Sequence, residues 1–271
     1  MISESHIHAV NVEGPQFPLV TVVTVVFNGE QFLEETIKSV TNQTYPNIEY
    51  IIIDGGSTDG TLDIIGKYEN EIDYWLSERD TGIYDAMNKG IEAATGEWIN
   101  FMNAGDIFFS PETITRLFNG DKYDEAVLYG NVQIRYPEFS RIEVAGKLNK
   151  LWTGMQFCHQ SAFVRARQHK LRKFNTANRI AADLEYFYSV YKNGLKFKYT
   201  DQIISSVNTG GLSEGDRVKT IMASRDAICS SGGGCLIRLV YIFFCFEAKI
   251  RYLAKKILPK KIVQKIIQMK S

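Results

Sequence analysis

Four aspartates stand at positions from which they can share one site: Asp54, Asp80, Asp106 and Asp183. The first three follow a predicted β-strand, either directly or within a few residues. Ligands of an open parallel sheet collect at the carboxyl ends of its strands, so these loops are expected to converge. Clustered carboxylates repel each other unless a cation or hydrogen-bond donors face them. A divalent ion shared between a carboxylate and a diphosphate is a suitable counter-charge.

Each aspartate also has an ordinary structural explanation. Asp54 and Asp59 are suited to capping the next helix, Asp80 to a turn, and Asp106 to capping a helix near Pro111. For one isolated aspartate the structural explanation is the better one. The recurrence of an aspartate after successive predicted strands favours a shared site.

Hydrophobic patterns predict the elements that position these residues. Residues 20–27 and 49–53 are apolar, β-branched runs typical of strands buried on both faces, and residues 73–77 and 97–102 predict two more strands. Helices are expected near residues 33–40, 62–68 and 84–94. This alternation indicates right-handed βαβ units.

The second half of the chain is less regular. Residues 127–135 alternate and predict a more exposed strand, residues 179–193 predict a helix, and residues 195–199 predict another strand. We expect an N-terminal extension at 1–17, one α/β domain with a mixed, mostly parallel sheet at 18–215, and a helical C-terminal segment at 216–271.

Composition and charge limit the function. Apolar residues make up 45% of the chain and charged residues 23%, as in globular proteins with a substantial core. Net charge is zero, yet residues 247–271 hold eight basic residues and one acidic, a net +7 that the rest of the chain offsets. This asymmetry argues against nucleic acid as the main ligand and suggests an anionic surface that the tail contacts.

The four cysteines show no paired spacing, which argues against zinc or a disulfide framework and favours reduced thiols. The first ten residues lack a secretory signal pattern, so a cytoplasmic location is expected.

The C-terminal segment combines apolar and basic residues. Residues 236–246 are strongly apolar but fall short of the roughly 20 residues that span a bilayer. Residues 250–258 and 262–267 then alternate apolar residues with lysines at helical spacing. The pattern predicts a basic amphipathic helix on an anionic membrane surface. The alternatives are a helix packed on the domain with a solvated basic edge, or an oligomer contact.

Three segments together carry a family resemblance: VTVVTVVFNGEQFLEETIKSV at 20–40, IEYIIIDGGSTDGT at 48–61 and SERDTGIYDAMNKGIEAATGEWINFMNAGD at 77–106. In this order they resemble the family 2 glycosyltransferases, particularly bacterial enzymes that build cell-surface polysaccharides. The resemblance is detailed over residues 18–110 and thinner to about 213. It implies a GT-A fold, a nucleotide-sugar donor that is usually a UDP-sugar, a divalent Mg²⁺ or Mn²⁺, and inversion at the anomeric carbon. With the tail, it suggests a lipid-linked saccharide acceptor at the inner face of the cytoplasmic membrane.

The resemblance also implies roles for individual residues. Asp54 resembles the aspartate that hydrogen-bonds the base, and Asp106 resembles the last carboxylate of the DxD motif, which holds the metal. Asn103 opens that motif here, which leaves Asp106 as its only carboxylate. The implied nucleotide-sugar-binding set is Thr24, Phe27, Asn28, Asp54, Asp80, Asn88, Asn103 and His159.

Sugar transfer needs a base, because a hydroxyl is a poor nucleophile until its proton is removed. The family places this carboxylate in an acidic pair that opens a late helix, and Asp183 is the match, with Ala182 replacing the first acidic residue. Asp183 is also a favourable residue for a helix N-terminus without any catalytic role. Glu185 is the fallback, although it should point about 200° away.

His159 lies in a Cys-His-Gln segment that also matches the family. Metal ligation, diphosphate contact, ordering of an acceptor loop and a purely structural role all stay open for it. Residues 208–213 resemble a flexible acceptor-side loop, or form an ordinary glycine turn.

Other functional classes fit less well. A dinucleotide-binding oxidoreductase needs Gly-x-Gly-x-x-Gly after the first strand, where this chain has FNGEQF at 27–32. A nucleotidyltransferase needs a glycine-rich basic loop there. A non-catalytic nucleotide-sugar-binding module of the same fold remains the alternative.

Overall fold

Strands and helices alternate through the first half of the chain. The computed structural model describes residues 17–120, 122–209 and 217–257, with only the backbone described at 235 and 251–257. The first elements are β1 (Val20–Val26), α1 (Leu33–Thr41), β2 (Ile48–Asp54), α2 (Thr61–Lys67), β3 (Tyr74–Ser77), α3 (Ile83–Ala93) and β4 (Trp98–Phe101). They confirm the predicted order of elements.

The second half adds shorter elements and a long last strand. They are β5 (Ile107–Phe108), α4 (Thr113–Phe118), β6 (Val127–Arg135), β7 (Ser140–Glu143), β8 (Ala162–Arg165), α5 (Ala166–Leu171), α6 (Ala182–Lys192), β9 (Phe197–Asn208), α7 (Arg217–Ser230) and α8 (Cys235–Ile257). Short 3₁₀ turns lie at Glu69–Glu71, Leu148–Thr153 and His159–Ser161.

All the described strands form one mixed sheet in the order β3-β2-β1-β4-β8-β6-β9-β5, with β7 paired to β6. The four strands β1 to β4 run parallel, β8 runs antiparallel to both β4 and β6, and β6 is parallel to β9. The predicted α/β fold with a mixed, mostly parallel sheet is confirmed.

Hydrophobic cores cover both faces of the sheet. Along β1, Val23 and Val25 pack in one core with α3 and α6, whereas Val20, Val22 and Val26 pack in the other with α1 and α4. Successive strand residues point to opposite faces, so a strand covered on both sides must be apolar at nearly every position. This is the physical basis of the uninterrupted valine run.

The expectation that residues 127–135 form a more exposed strand is wrong. The segment from Val127 to Val132 is buried, because β6 lies inside the sheet between β8 and β9. Its polar residue Asn131 is buried too, and its Oδ1 accepts hydrogen bonds from the Tyr199 hydroxyl and the Ala145 N–H. The strand expected at residues 195–199 is β9, which continues to Asn208 along β6.

The C-terminal helices lie on the α/β domain. α7 contacts α6, and α8 contacts α7. Tyr241 of α8 is buried and donates a hydrogen bond from its hydroxyl to the Trp152 carbonyl at 3.0 Å. Among the described helices, none combines the length and apolar character needed to cross a bilayer. The amphipathic stretch at 262–267 and the residues at the proposed domain boundaries 1–16 and 210–216 lie outside the described residues.

Candidate active site

The carboxyl ends of β1 to β4 meet at one edge of the sheet, because these strands are parallel. The antiparallel strand β8 begins at this same edge, which brings the 3₁₀ turn at His159–Ser161 beside the end of β4. Asn100 fixes that turn, since its Nδ2 donates to the carbonyls of Gln160 and Ala162 at 3.0 and 2.9 Å. The predicted convergence of the loops is therefore seen in the structure.

Asp54 shapes the loop that follows β2. Its carboxylate is fully buried and accepts hydrogen bonds from the backbone N–H groups of Gly56 and Ser57 and from the hydroxyls of Ser57 and Ser77. The carboxylate is thus occupied by its own loop and by β3. Its position supports a role in shaping the loop after β2.

Phe27, Gly55 and Asp80 lie close together beside that loop. Phe27 is 63% exposed, which is unusual for a large aromatic residue at the end of a buried strand. A methyl group added to Gly55 would lie 2.4 Å from Asp80 Oδ2 and 3.4 Å from Phe27 Cδ2. Asp80 Oδ1 accepts the Gly82 N–H at 2.9 Å. An exposed ring beside a carboxylate can stack on a nucleobase while the carboxylate accepts a hydrogen bond from the nucleoside.

Asn28 joins the loops after β1 and β2. Its φ of 50° lies in the left-handed region, which asparagine tolerates better than most residues. Its backbone N–H donates to Ser57 Oγ at 2.7 Å, and its Oδ1 accepts the Thr58 N–H at 2.9 Å. Asn28 therefore holds the predicted nucleoside pocket in shape.

Thr24 and Asn88 do not join the other predicted donor-binding residues. Thr24 is fully buried, with its hydroxyl donating to the Met102 carbonyl and also lying 3.0 Å from the Tyr50 hydroxyl. Asn88 bonds the backbone of Phe174 twice, through Nδ2 to the carbonyl and through Oδ1 to the N–H, both at 2.9 Å. Both side chains stabilise the fold, where the resemblance implied ligand contacts.

Asp106 lies in the turn after β4 with little exposure to solvent. Burial raises the pKa of its carboxyl to about 6, although the Gln160 amide, His159 and Arg135 act in the opposite direction. The Gln160 Nε2 donates to Asp106 Oδ2 at 2.6 Å. The turn itself is held by Thr36, whose hydroxyl accepts the Gly105 N–H and donates to the Asp106 carbonyl.

The donor set at Asp106 fits a metal ion only in part. A buried carboxyl with a raised pKa lacks a full counter-charge, which a divalent cation would supply. In residues 17–120, 122–209 and 217–257, however, no group of three or more His, Cys, Asp or Glu side chains could hold an ion. One carboxylate would hold an ion only together with phosphate oxygens and water, which is how magnesium is often bound.

His159 connects the turn after β4 to the start of α6. Its Nε2 lies 3.2 Å from Asn103 Nδ2, and its Nδ1 lies 3.6 Å from Asp183 Oδ2. The other oxygen of Asp183, Oδ1, accepts the Tyr84 hydroxyl at 3.0 Å. Burial raises the pKa of Asp183, but His159, the Leu184 N–H and Tyr84 together lower it below its ordinary value. The carboxylate is therefore ionised at neutral pH, as a base must be.

Glu185, the fallback base, faces a different neighbourhood. Its carboxylate is buried and accepts hydrogen bonds from Asn175 Nδ2 and Asn178 Nδ2 at 3.1 to 3.3 Å. These bonds order the loop before α6. The two carboxylates of this helix thus have separate tasks, as the 200° difference in direction implied.

Two residues of the site were not predicted from the sequence. Tyr84 is in the first turn of α3, where an aromatic residue is most simply explained by core packing, and Gln160 follows His159 without any charge of its own. The only available signal was their place inside the resembling segments. Burial and the neighbouring charge of Asp183 raise the pKa of Tyr84 far above its usual range, so its hydroxyl stays a donor.

Comparison with known proteins identifies the family of this site. The profile of Glycosyl transferase family 2 matches residues 21–192, which include the four loops and the start of α6. The chain belongs to glycosyl transferase family 2. The predicted glycosyltransferase class is confirmed at this level.

Curated relatives of this glycosyltransferase come from bacteria. A PGL/p-HBAD biosynthesis glycosyltransferase of Mycobacterium bovis is 32% identical over 204 residues, covering 72% of this chain and 79% of its own length. The putative teichuronic acid biosynthesis glycosyltransferase TuaG of Bacillus subtilis is 39% identical over 92 residues, covering 33% and 36%.

Solved structures share the fold at low identity. The S. aureus TarS 1-349 fragment in complex with UDP has a TM-score of 0.61 at 20% identity and is covered over 65% of its length, with 78% of this chain matched. The mannosyltransferase PcManGT from Pyrobaculum calidifontis, in complex with GDP-Man and Mn²⁺, has a TM-score of 0.59 at 16% identity, with 82% and 67% covered. This glycosyltransferase thus spans about two thirds of those chains.

Proposed function

We propose that this family 2 enzyme transfers a sugar from a UDP-sugar to an acceptor hydroxyl with inversion at the anomeric carbon. The observation that carries the proposal is the state of Asp183. This carboxylate is largely shielded from water, yet Tyr84 and His159 lower its pKa at the edge where the donor-pocket loops converge. An ionised, shielded carboxylate at that place is suited to general-base catalysis.

In the proposed reaction, Asp183 accepts the proton of the acceptor hydroxyl. The hydroxyl oxygen forms a bond to the anomeric carbon, and the bond from that carbon to the donor phosphate breaks, with its electron pair leaving on the nucleoside diphosphate. The Tyr84 hydroxyl lies 3.0 Å from Asp183 Oδ1 and 3.2 Å from the Ile180 carbonyl, and its donation to Asp183 orients the carboxylate. A Mg²⁺ or Mn²⁺ ion at Asp106 would neutralise charge that develops on the diphosphate.

The donor proposal rests on the placement of Phe27 and Asp80 on either side of Gly55. The exposed Phe27 ring offers a stacking face for the nucleobase, and the Asp80 carboxylate beside it can accept a hydrogen bond from the nucleoside. Asp54 and Asn28 hold the loop that contains Gly55. UDP is proposed as the nucleotide because TarS was solved with UDP and with UDP-GlcNAc, whereas PcManGT was solved with GDP-Man.

The acceptor proposed is a lipid-linked saccharide of a cell-surface polymer, in keeping with the name of the teichuronic acid biosynthesis relative. Such an acceptor would place the enzyme at the cytoplasmic face of the membrane. The exposed face of α8 supports this location. Its large apolar side chains are at least half exposed along one stripe: Leu236, Leu239, Ile242, Phe243, Phe246 and Ile250. A stripe of this width beside basic residues suits an anionic lipid surface.

Liposome binding tests the membrane proposal. The double variant Phe243→Ser/Phe246→Ser should bind phosphatidylglycerol vesicles at least several-fold more weakly, because two exposed rings no longer enter the interface. Leu171→Ser is the matched control, since Leu171 is 82% exposed on α5. Unchanged vesicle binding, together with loss of a dimer in solution, would instead assign the stripe to contact between two copies.

Turnover tests the catalytic proposal. The protein is incubated with UDP-sugars and Mn²⁺, and released UDP is measured for the unmodified chain and for Asp183→Asn. We expect a loss of roughly 10²- to 10⁴-fold in the variant, with donor affinity retained. If no nucleotide sugar gives metal-stimulated release, with or without acceptor, the chain is a non-catalytic nucleotide-sugar-binding module.

A further inference from the structure

We propose that His159 is a positioning residue for the base: it carries its proton on Nδ1, donates it to Asp183 Oδ2, and is held in this tautomer by Asn103. The inference rests on the proposed base role of Asp183 and goes beyond it. It assigns His159 the task of orienting the general base, where metal ligation and diphosphate contact were the alternatives.

The contact with Asn103 selects the tautomer. Asn103 Nδ2 lies 3.2 Å from His159 Nε2, and in this orientation of the amide Nδ2 is the donor and Nε2 the acceptor. A neutral imidazole has one N–H, which must then be on Nδ1. Nδ1 faces Asp183 Oδ2 at 3.6 Å, a distance that a small shift of either side chain shortens to a hydrogen bond.

Two donors together orient the carboxylate of Asp183. Tyr84 donates to Oδ1, and His159 Nδ1 faces Oδ2 from 3.6 Å, so groups on both sides restrain rotation of the carboxylate. The Leu184 N–H also bonds this carboxylate, so three donors leave one of its four lone pairs available to the acceptor hydroxyl. The side chains of His159 and Asp183 are 19% and 17% exposed, so little water competes for these bonds.

The backbone around His159 explains why the ring stays in place. His159 opens the 3₁₀ turn before β8, and Asn100 fixes this turn through the carbonyls of Gln160 and Ala162. Gln160 is held separately by Asp106. Neighbouring residues of one turn therefore serve different tasks: Gln160 contacts the candidate metal ligand, and His159 contacts the base.

Two near-isosteric substitutions separate the two ring nitrogens. In His159→Asn the amide nitrogen takes the place of Nδ1, and in His159→Gln it takes the place of Nε2. We expect His159→Asn to keep kcat within about 10-fold, whereas His159→Gln and His159→Ala lose roughly 10- to 100-fold in kcat with donor KM unchanged. Retained activity in His159→Gln with loss in His159→Asn would overturn the proposal in favour of a donor-side contact through Nε2.

A second measurement does not depend on turnover. In the free protein with labelled histidine, NMR chemical shifts of the ring nitrogens and of ring carbon Cδ2 report the tautomer. We expect the Nδ1–H form for His159, and a shift toward the Nε2–H form in Asp183→Ala. A predominant Nε2–H form in the unmodified protein would overturn the proposal. This outcome is distinct from failure of the proposed function, which would show as absence of sugar transfer while the Nδ1–H tautomer is present.

Discussion

The hydroxyl of Tyr84 lies 3.0 Å from Asp183 Oδ1, so the first turns of α3 and α6 meet at one carboxylate. The two residues are 99 positions apart in the chain. Tyr84 is buried, and its ring packs beside Phe174, with ring centroids 5.6 Å apart. The phenol is therefore fixed by packing before it donates to the carboxylate, which is the arrangement that precise positioning of a base requires.

Removing this hydroxyl should alter the pH dependence of the enzyme. Tyr84→Phe deletes a donor that lowers the pKa of Asp183, so that pKa should rise and the acid limb of the kcat profile should move to higher pH. We also expect kcat at neutral pH to fall roughly 5- to 30-fold. Tyr45→Phe is the control, because the Tyr45 hydroxyl bonds the Pro18 carbonyl away from the site. An acid limb that stays in place would contradict the role given to Tyr84.

The close approach of Asp80 to the loop beside Phe27 depends on the absence of a side chain at position 55. Gly55→Ala would place a methyl group 2.4 Å from Asp80 Oδ2, so Asp80 must move. We expect donor affinity, measured by calorimetry, to fall about 10-fold. Gly66→Ala is the matched control in α2, where an added methyl group meets nothing within 4 Å. That variant should bind the donor normally and be slightly more stable.

The Asp106 carboxylate should lower the free energy of unfolding at neutral pH. Its folded-state pKa of about 6 lies above the unfolded value of about 4, so the folded state binds more protons between these values. Stability should therefore fall as pH rises from about 4 to about 6, by at most roughly 3 kcal/mol from this group. Asp106→Asn keeps an acceptor for Gln160 and should raise the melting temperature at pH 7.5. The same variant should lose metal-stimulated turnover, and an unchanged metal response would argue against Asp106 as the ligand.

Asn88 should matter for stability and not for donor binding. Asn88→Ala removes both hydrogen bonds to the Phe174 backbone, and the buried N–H and carbonyl then lack partners. We expect a cost of about 1–3 kcal/mol in the free energy of unfolding, measured by denaturant titration. Donor affinity of the folded variant should stay within about twofold. A large loss of affinity with unchanged stability would restore the donor contact that the resemblance implied.

The parallel half of the sheet was predictable because burial on both faces demands continuous apolar strands, as in β1 and β2. The convergence of the loops that follow these strands was also predictable, because the carboxyl ends of parallel strands lie at one edge of the sheet. The position of β6 was not predictable. Its alternation of apolar and polar residues is typical of a strand with one exposed face. Here the polar residue Asn131 is buried, and its Oδ1 accepts hydrogen bonds from Tyr199 and Ala145 in place of water.

The candidate site divides in a similar way. The residue types and their order in the chain were enough to select the four aspartates Asp54, Asp80, Asp106 and Asp183. The sequence did not predict how many hydrogen bonds each of them makes within the protein. Asp54 and Asn88 use their hydrogen-bonding groups inside the fold, whereas Asp80 stands against Gly55 beside the exposed Phe27 ring. The same residue types can serve either purpose.

The amino-acid sequence by itself determined the family, the alternation of strands and helices, and the four aspartates in chain order. Only the tertiary structure decided which polar groups are occupied and which are available. The reason is physical: the deciding contacts, such as Tyr84 with Asp183 and His159 with Asn103, join residues 99 and 56 positions apart. Local patterns report burial and backbone conformation, but a hydrogen bond across the sheet edge depends on how separate loops are placed together.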